Sequence, residues 1–476
     1  MSMLTPDAVI AVIGSGTMGA GIAQVAASAG HAVWLYDIQP GAAKRAIDGI
    51  DTALSARVAK GKLDDASRQS TLARLHPAET LADLAQAELV IEAAAEQIDI
   101  KQAIFRDLAA VCGADTVFAS NTSSISITAI ASGISHPARV VGLHFFNPAP
   151  VMKLVEVVSG LETSPEIAER LCELALRWGK QPVRCHSTPG FIVNRVARPF
   201  YAEAWRALEE QVAPAAAIDA ALREGAGFPM GPLALTDLIG QDVNFAVTCS
   251  VFNAFWQERR FLPSLTQQEL VLGKRLGKKT GQGVYRWPLE AKPEYQPQMS
   301  EEFAAKQVTQ SGKTLELDGI VVAITNGMTA TAMSAELKRP VVLRDRLAES
   351  ALEVLAPSAS VTPQQLAKVT HYFQRQGNQV LVINDYPGML AWRTVAMLAN
   401  EALDALQKGV AGEADIDTAM QLGVNYPQGP LAWGARLGWQ NVLTLLENLQ
   451  RHYGEERYRP TSLLRQRALL ENQHEH

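Results

Sequence analysis

A histidine and a glutamate twelve residues apart are the residues of this sequence best suited to acid–base chemistry. His144 lies in the apolar run RVVGLHFF (139–146), and Glu156 lies in a second run, KLVEVVS (153–159). Histidine titrates near neutral pH, and a buried carboxylate beside it would fix its tautomer and stabilise its charged form. For such a pair alone, a core histidine satisfied by one carboxylate is the better interpretation, so the decision rests on the elements that hold the pair.

Both runs are apolar and β-branched enough to form largely buried strands. The pairs Asn147-Pro148 and Ala149-Pro150 between them predict a turn. Two strands joined by this turn could bring the histidine and the glutamate face to face.

The N-terminal stretch 8–37 has the order of elements typical of a dinucleotide site. An apolar strand is followed by Gly14, Gly16 and Gly19 in a G-x-G-x-x-G pattern, by an Ala-rich helix and by a second apolar strand that ends at Asp37. The glycines allow a tight turn and close approach of a pyrophosphate, which the helix N-terminus favours. Asp37 is placed to hold the adenosine ribose, and no basic residue closely follows it, so we expect NAD rather than NADP. An ordinary βα turn is the alternative.

Further apolar runs extend the predicted sheet. They are ELVIEAAAE (88–96), TVFASN (116–121) and the run that carries His144, with helical segments between the first two. This order predicts an α/β fold with a Rossmann-type doubly wound parallel sheet, whose ligands bind beyond the carboxyl ends of the strands. Glu96, Ser123 and His144 lie at or beyond such ends, which favours a functional role for the histidine.

Three blocks of the sequence resemble the signature blocks of the L-3-hydroxyacyl-CoA dehydrogenases. They are ASNTSSISITAI (119–130), GLHFFNPAPVMKLVEVV (142–158) and TPGFIVNRV (188–196), and the similarity covers residues 8 to about 287 in family order. The resemblance implies NAD-dependent oxidation of an (S)-3-hydroxyacyl-CoA to a 3-oxoacyl-CoA.

The resemblance also implies roles for single residues. His144 resembles the catalytic base and Glu156 its orienting carboxylate, while Ser123 and Asn194 resemble the residues that hold the substrate's reacting oxygens. This suits the chemistry, because the base must take the hydroxyl proton while a hydride leaves carbon for the nicotinamide. Without the resemblance, Ser123 would be a capping or turn serine and Asn194 a residue at the start of a helix.

Three charged residues resemble cofactor-proximal positions of the family more loosely. Glu96 and Lys101, in AAEQIDIKQ, match positions that line the nicotinamide-side ribose and its surroundings. Lys279, in GKKTGQGVY (277–285), matches a lysine near the cofactor. A solvated surface charge is the alternative for each.

The chain repeats itself at a constant offset of 198 residues. TPGFIVNRV at 188 returns as YPGMLAWRT at 386, and IDAALREGAGFPMGPLAL at 218 returns as IDTAMQLGVNYPQGPLAW at 416. The segments are apolar at helical spacing, so each copy is predicted to form a small helical domain. Trp392 stands where the first copy has Asn194, so the second copy lacks that amide.

The stretch between the copies has a strand–helix–strand pattern over 319–345 without the glycine triplet. We interpret it as a degenerate half-sheet that binds no nucleotide; a generic α/β spacer is the alternative. The predicted domains are an NAD-binding Rossmann-type domain (1–187), a helical substrate or dimerisation-type domain (188–287), a linker (288–306), a degenerate α/β segment (307–385) and a second, inactive helical domain (386–476).

The helical domain forms the homodimer interface in single-copy members of the resembled family. The second copy is therefore expected to act as a pseudo-symmetric partner within one chain, with further homo-oligomers left open. This long form, without an enoyl-CoA hydratase domain, resembles the branch that acts on 3-hydroxyadipyl-CoA in bacterial aerobic phenylacetate degradation. Arg195 or Arg198 could read the distal carboxylate, although helix-surface arginines are the better interpretation of both.

Three alternatives to a 3-hydroxyadipyl-CoA dehydrogenase remain. One is the same chemistry on 3-hydroxybutyryl-CoA or on a general acyl chain. Another is a dehydrogenase of the crystallin type that acts on a free sugar acid. From a different class comes a non-catalytic NAD-binding scaffold, against which the four-residue set around His144 argues.

The composition is that of an ordinary globular protein of several domains. Of 476 residues, 47% are hydrophobic and 19% charged, and the net charge of −6 argues against nucleic-acid binding and against a basic membrane-surface protein. No signal sequence or membrane-spanning run is recognised, and the four scattered cysteines indicate neither disulfides nor a zinc site, which favours the cytoplasm. The closing NQHEH could chelate metal adventitiously, but a frayed tail is the better interpretation.

Overall fold

The structure, a computed structural model, describes residues 4–5, 7–312 and 314–474 and divides into two compact units. The first unit contains the chain up to Asn194 together with Lys408–Val424, and the second contains Arg195–Gln407 and the chain from Asn425. The side chains of the closing NQHEH lie outside the described residues. Among the described helices, none combines the length and the apolar character needed to cross a membrane.

The first unit is built on an eight-stranded sheet. Its strands are β1 (Ile10–Ile13), β2 (Val33–Tyr36), β3 (Leu75–Ala78), β4 (Leu89–Glu92), β5 (Val117–Ser120), β6 (Val140–Phe145), β7 (Leu154–Ser159) and β8 (Gln181–His186). They lie in the order β3-β2-β1-β4-β5-β6-β7-β8. Strands β1 to β6 are parallel, and β7 is antiparallel to β6. The predicted doubly wound sheet is confirmed, with its switch point between β1 and β4; β3 and β8 were not predicted.

Helices cover both faces of this sheet. They are α1 (Thr17–Ser28), α2 (Ala42–Ala59), α3 (Asp65–Ala73), α4 (Ile98–Val111), α5 (Ile127–Ala131) and α6 (Pro165–Arg177). In α6 the buried residues Ile167, Leu171 and Leu174 recur every three or four positions, which gives the helix one apolar side. These side chains join the strand residues in one continuous core.

The first set of C-terminal helices follows β8 in the sequence. It consists of α7 (Val193–Val196), α8 (Arg198–Glu209), α9 (Ala215–Ala220), α10 (Pro232–Ile239), α11 (Gln241–Ala254) and α12 (Leu265–Leu272). Helix α9 continues as a π-helical turn over Ala221–Gly225. Proline or glycine precedes several of these helices, and Pro232 occupies the first turn of α10, where its missing amide hydrogen costs nothing.

A second sheet follows the irregular stretch from 288 to 307. Its strands are β9 (Val308–Ser311), β10 (Thr314–Leu317), β11 (Ile320–Ile324), β12 (Val341–Arg344), β13 (Leu352–Pro357) and β14 (Gln379–Val382), in the order β14-β13-β12-β11-β10-β9. Helices α13 (Ala330–Leu337) and α14 (Pro363–Gln374) accompany it. The predicted strand–helix–strand unit is present as β11, α13 and β12. The hairpin of β9 and β10 was not predicted.

The second set of helices reproduces the first at the predicted offset. It consists of α15 (Ala391–Gln407), α16 (Glu413–Gly423), α17 (Pro430–Leu437), α18 (Trp439–Tyr453) and α19 (Ser462–His474). Helices α17 and α18 begin 198 residues after α10 and α11, respectively. The predicted duplication of the helical domain is therefore confirmed.

One helix of the second copy belongs to the first unit. The strand β8 contacts the segment before and within α16, since the His186 amide donates to the Val410 carbonyl at 2.8 Å and the Arg184 amide to Asp415 Oδ2 at 3.3 Å. A side chain at Gly423, the last residue of α16, would come within 2.9 Å of Val193. The repeat thus supplies a helix that supports the sheet of the first copy.

Candidate active site

His144 and Glu156 stand directly opposite each other on β6 and β7. The Nδ1 atom of His144 lies 2.6 Å from Oε2 of Glu156, and the two residues are 6% and 1% exposed. Because an ionised carboxylate only accepts hydrogen bonds, Nδ1 carries the proton and Nε2 presents its lone pair. The arrangement makes Nε2 the atom that can take a proton from a substrate.

The second oxygen of Glu156 is held by the start of helix α7. Glu156 Oε1 accepts hydrogen bonds from the amides of Ile192 and Val193 at 3.0 and 3.1 Å. With one oxygen on a helix N-terminus and the other on the imidazole, the carboxylate cannot turn away from His144. The ring of Phe191, whose φ is +49°, packs edge-on against the imidazole at a centroid distance of 5.9 Å. Sequence reasoning did not identify Phe191, whose positive φ no composition signal reveals.

Ser123 and Asn194 are brought together at the end of β5 and the start of α7. The Asn194 side-chain amide contacts the Ser123 carbonyl oxygen at 3.4 Å, and the Ser123 backbone amide donates to Glu96 Oε1 at 3.1 Å. Both residues are partly exposed. The first unit therefore carries His144, Ser123 and Asn194 together, each on a segment that begins or ends at the same sheet.

Glu96 and Lys101 form part of a buried ionic network. The Lys101 ammonium, 1% exposed, donates to Glu92 Oε1 at 2.7 Å and lies 3.3 Å from Glu96 Oε2. Glu96 also accepts from the Thr122 hydroxyl at 2.6 Å. Burial opposes ionisation of Glu96, but the Thr122 hydroxyl and the Lys101 charge outweigh it, so the pKa of Glu96 lies below its ordinary value. Lys101 thus forms ion pairs with Glu92 and Glu96 and stabilises the ionised form of Glu96.

Glu92 and Thr122 were missed by sequence reasoning. Glu92 is fully buried at the end of β4, where its second oxygen also accepts from the Ser120 hydroxyl at 2.6 Å. A carboxylate ending the otherwise apolar run LVIE was the available signal. Its need for a buried cation explains the burial of Lys101.

The glycine turn has the close contacts that a dinucleotide loop requires. Gly14 has φ +96°, and a Cβ there would lie 2.5 Å from the Ala93 carbonyl oxygen. A Cβ at Gly19 would lie 1.8 Å from the Gly14 carbonyl oxygen, so helix and turn can approach only through glycine. A Cβ at Gly16, which precedes α1, would meet nothing within 4 Å. This open space before a helix N-terminus fits a pyrophosphate.

Asp37 lies just after β2 and reaches back to the glycine turn. Its Oδ2 accepts from the Ser15 amide at 2.8 Å and hydroxyl at 2.6 Å, and its Oδ1 accepts from the Gln39 amide at 2.9 Å. Partial burial raises the pKa of Asp37, but the hydrogen bonds from Ser15 and Gln39 lower it by more, so the pKa lies below its ordinary value. The carboxylate is therefore ionised at neutral pH. An ionised acceptor at this position fits the hydroxyls of an adenosine ribose and opposes a 2′-phosphate.

Lys279 is part of the second unit. Its ammonium lies 2.6 Å from Asp242 Oδ1 at the start of α11, and both side chains are exposed to solvent. The structure thus places Lys279 in a surface ion pair, whereas the other six cofactor-proximal residues of the prediction all lie in the first unit.

The second sheet has an equivalent of the histidine position. Strands β12, β13 and β14 pair as β6, β7 and β8 do, antiparallel and then parallel. The pair Leu343–Ala356 corresponds to Gly142–Val158, so two residues further along Asp345 occupies the position of the histidine and Val354 that of the glutamate. The Asp345 amide indeed donates to the Val354 carbonyl at 3.1 Å.

Asp345 holds a helix start by itself. Its carboxylate accepts from the amides of Leu390, Ala391 and Trp392 at 2.6 to 2.9 Å. The first two are the counterparts of the Ile192 and Val193 amides, from which Glu156 accepts. Burial raises the pKa of Asp345 to about 6, against the opposing effect of the three amides. The second copy thus keeps the link between sheet and helix and has no imidazole at the equivalent position.

Comparison with known proteins agrees with this geometry. Residues 9–188 match the family model described as 3-hydroxyacyl-CoA dehydrogenase, NAD binding domain, and residues 190–287 and 388–474 match the C-terminal domain of the same family. Residues 322–387 match the model described as 3-hydroxybutyryl-CoA dehydrogenase reduced Rossmann-fold domain.

Individual relatives cover either the whole chain or its first part. The chain is 65% identical to the 3-hydroxyadipyl-CoA dehydrogenase of Escherichia coli K12 over 98% of both sequences. It is 42% identical to a 3-hydroxybutyryl-CoA dehydrogenase of Clostridioides difficile, over 58% of this chain and 98% of that one. A crystal structure described as 3-hydroxybutyryl-CoA dehydrogenase from Escherichia coli K12 superimposes over 100% of both chains with a TM-score of 0.97 and 63% identity.

Proposed function

The chain belongs to the 3-hydroxyacyl-CoA dehydrogenase family, and we propose that its substrate is 3-hydroxyadipyl-CoA. As a member of this family it is an NAD-dependent oxidoreductase that converts (S)-3-hydroxyacyl-CoA into 3-oxoacyl-CoA. Membership decides against the non-catalytic scaffold. The short contact between His144 and Glu156 is the observation that carries the catalytic assignment.

The proposed mechanism uses the first copy alone. His144 Nε2 takes the proton of the substrate's C3 hydroxyl, and the positive charge that forms is stabilised by Glu156 2.6 Å from the other ring nitrogen. NAD, when bound, accepts the hydride from C3. The Ser123 hydroxyl and the Asn194 amide donate hydrogen bonds to the C3 oxygen and the thioester carbonyl, where negative charge develops.

Residues of the glycine turn and Asp37 are proposed to hold the cofactor. The pyrophosphate would lie against Gly14, Gly16 and Gly19, and the ribose hydroxyls would bind Asp37. Glu96, kept charged by Lys101, is the candidate for the second ribose. Lys279 remains a proposed cofactor-proximal residue whose observed partner is Asp242.

The dicarboxylic acyl chain is supported by similarity over the full length. The relative named for 3-hydroxyadipyl-CoA matches 98% of this chain, whereas the curated 3-hydroxybutyryl-CoA relative from Clostridioides difficile lacks the second copy. The solved structure that covers the whole chain carries the hydroxybutyryl name, so the two acyl chains have to be compared directly. We place the reaction in aerobic phenylacetate degradation, in a reducing cytoplasm consistent with four free cysteines.

A matched substrate pair tests the acyl chain. NADH formation from 3-hydroxyadipyl-CoA is compared with that from 3-hydroxyhexanoyl-CoA, which has the same length but no distal carboxylate, and from 3-hydroxybutyryl-CoA. We expect the highest kcat/KM for the dicarboxylate. A higher kcat/KM for either monocarboxylate would refute the adipyl assignment and leave the dehydrogenase activity intact.

We also propose that the two helical copies act as a pseudo-dimer within one chain. Two reciprocal ion pairs in the second unit support this arrangement: Arg195 Nε lies 2.8 Å from Glu401 Oε1, and Arg393 Nε lies 2.6 Å from Glu203 Oε2. The residues of one pair are the 198-residue counterparts of the other, as expected across a two-fold axis. All four side chains are buried.

Light scattering on a chain cut after residue 290 tests the pseudo-dimer. Without α15 to α19, we expect residues 1–290 to self-associate or aggregate through the uncovered helices, because those helices bury apolar side chains in the full chain. A fully active, monomeric fragment would contradict the proposal.

A further inference from the structure

The first unit contains a positively charged cavity beside the turn that joins β6 to β7. It lies between the second half of α1, the end of α2, this turn and the end of α6, and its volume is about 340 Å³. Arg57, Arg177 and Lys180 line it from three separate segments. Among the described residues, no aspartate or glutamate lines it. The cavity wall therefore carries three cationic side chains and no carboxylate.

Lys180 is the buried member of this set. It is 7% exposed, although lysine is rarely buried without a charged partner. Its ammonium donates to the backbone carbonyls of Ala149 and Met152, the second at 2.7 Å, and its third hydrogen has no acceptor among the described residues. Burial lowers the pKa of Lys180, since no carboxylate stabilises its charge. Because Pro150, between the two carbonyls, also lines the cavity, the ammonium lies at the cavity wall.

The other donors of the cavity are also available to a ligand. Arg57 is exposed and has no hydrogen bond or ion pair with any residue that the structure describes. Arg177 uses one of its N–H groups, which donates to the Leu4 carbonyl at 2.8 Å. The half-buried side-chain amide of Gln24 lines the cavity too, again without a partner in the described part of the chain. Four side chains thus offer N–H groups to one space.

A simpler role for the two arginines would be to stabilise helix ends. Arg57 and Arg177 stand in the last turns of α2 and α6, where a cation offsets the helix dipole. Neither donates to a carbonyl at a helix end, however, within the described residues. The end of α1 has its own donor, since Arg74 contacts the Ala27 carbonyl at 3.4 Å. Helix capping therefore does not account for three cations around one cavity.

The cavity is separate from the place proposed for the cofactor's pyrophosphate. That place lies before the first residue of α1, at Gly16, whereas the cavity is lined by Gln24, Ser28 and Ala29 in the second half of the helix and just beyond it. Ser28 is twelve residues beyond Gly16, which corresponds to about 18 Å along a helix. A group bound here would be a second anion.

We propose that this cavity binds a phosphate group, held by Arg57, Arg177 and Lys180. A phosphate presents several acceptor oxygens and up to two negative charges, which suits cations that approach from three segments better than a planar carboxylate does. Two sources carry this chemistry, free phosphate and the nucleotide end of a coenzyme A thioester; the second source rests on the proposed function. Because Lys180 holds the turn between His144 and Glu156, a bound phosphate would also brace that turn.

Isothermal titration of the full-length protein tests this site. The probes are inorganic phosphate and adenosine 3′,5′-bisphosphate, added at constant ionic strength to protein saturated with NADH, so that the cofactor site is already covered. We expect saturable binding of at least one probe. Arg57→Gln should raise its dissociation constant about threefold, as for a partly exposed charge, and Lys180→Met at least about tenfold. Binding of inorganic phosphate would support a site for the free anion, and binding of the bisphosphate alone a site for the substrate's nucleotide.

Arg106→Gln serves as the matched control. Arg106 is an exposed arginine of α4 that, like Arg57, has no hydrogen bond or ion pair with the described residues, and it lies outside the cavity. Its variant should bind the probe as the wild type does. If Lys180→Met fails to fold, Arg57→Gln decides, because it breaks no contact within the described protein. Absence of saturable binding by both probes, or equal dissociation constants for Arg57→Gln and Arg106→Gln, would overturn the proposal. NADH formation from 3-hydroxyacyl-CoA is measured separately, so a failed site would not count against the dehydrogenase activity.

Discussion

The two copies of the helical domain share one backbone and differ in what they add to it. In both, a carboxylate from the preceding sheet accepts the amides at the start of the first helix: Glu156 in the first copy and Asp345 in the second. In the first copy that carboxylate also holds His144. In the second, the aspartate itself occupies the histidine position and Val354 occupies the position of Glu156.

This difference shows that the scaffold and the chemistry of this fold are separable. A buried carboxylate is needed in both copies because the helix start would otherwise leave amides unsatisfied. The imidazole is needed only where a proton is moved. Retention of the first feature and loss of the second indicate that the second copy serves structure, and the predictions below test that division.

Breaking one reciprocal ion pair between the copies should have the largest effect. Glu401 accepts from Arg195 at 2.8 Å and lies 3.0 Å from Arg260. Glu401→Gln would leave buried positive charge uncompensated, so the free energy of unfolding should fall by about 3–5 kcal/mol in urea denaturation. Glu447→Gln, which breaks the exposed pair with Arg465, should change it by less than about 1 kcal/mol. Equal values for the two variants would contradict the account.

Asp345→Ala should destabilise the protein without affecting the chemical step. The three backbone amides that donate hydrogen bonds to Asp345 would be left buried without acceptors. We therefore expect a loss on the order of 3 kcal/mol in the free energy of unfolding. The kcat of the folded variant should remain that of the wild type. A large fall in kcat with unchanged stability would mean that the second copy takes part in catalysis.

His144→Gln should lower kcat by at least about 100-fold, because it removes the proposed base. The affinity for NADH, measured by fluorescence titration, should barely change. His371 is a buried histidine of helix α14, which accompanies the second sheet. His371→Gln is the matched control and should retain kcat. Glu156→Gln should keep more activity than His144→Gln, since the imidazole remains. Near-normal turnover of His144→Gln would remove the histidine from the mechanism.

Trp392→Asn should have the smallest effect on activity. It restores in the second copy the amide that Asn194 provides in the first, but Asp345 and Val354 still occupy the acid–base positions. We expect no change in kcat and no second active site in steady-state kinetics. A doubling of activity per chain would show that the second copy had lost only this amide.

The sequence predicted those parts of the molecule that depend on local pattern. The glycine triplet, the apolar strands and the 198-residue repeat are each visible as a pattern of residue types along the sequence. The pairing of His144 with Glu156 follows because a short turn joins the two strands that carry them. The partners Glu92 and Lys101 meet across a strand and a helix, which no spacing reveals. The attachment of α16 to strand β8 of the first sheet depends on contacts between residues more than 200 positions apart.

The exchange of His144 for Asp345 was hidden by a change in loop length. Twelve residues separate His144 from Glu156, but nine separate Asp345 from Val354, although both pairs have the same register. A constant offset of 198 therefore aligns β13 with β7 and misaligns β12 with β6. Only the strand pairing shows which residue replaced the histidine.

The number of NADH molecules bound per chain tests the division between the copies most directly. Isothermal titration of the full-length protein should give one site per chain. That site should be lost in Gly19→Ala, whose added methyl would collide with the Gly14 carbonyl. Two sites per chain, or one site that survives Gly19→Ala unchanged, would contradict the account.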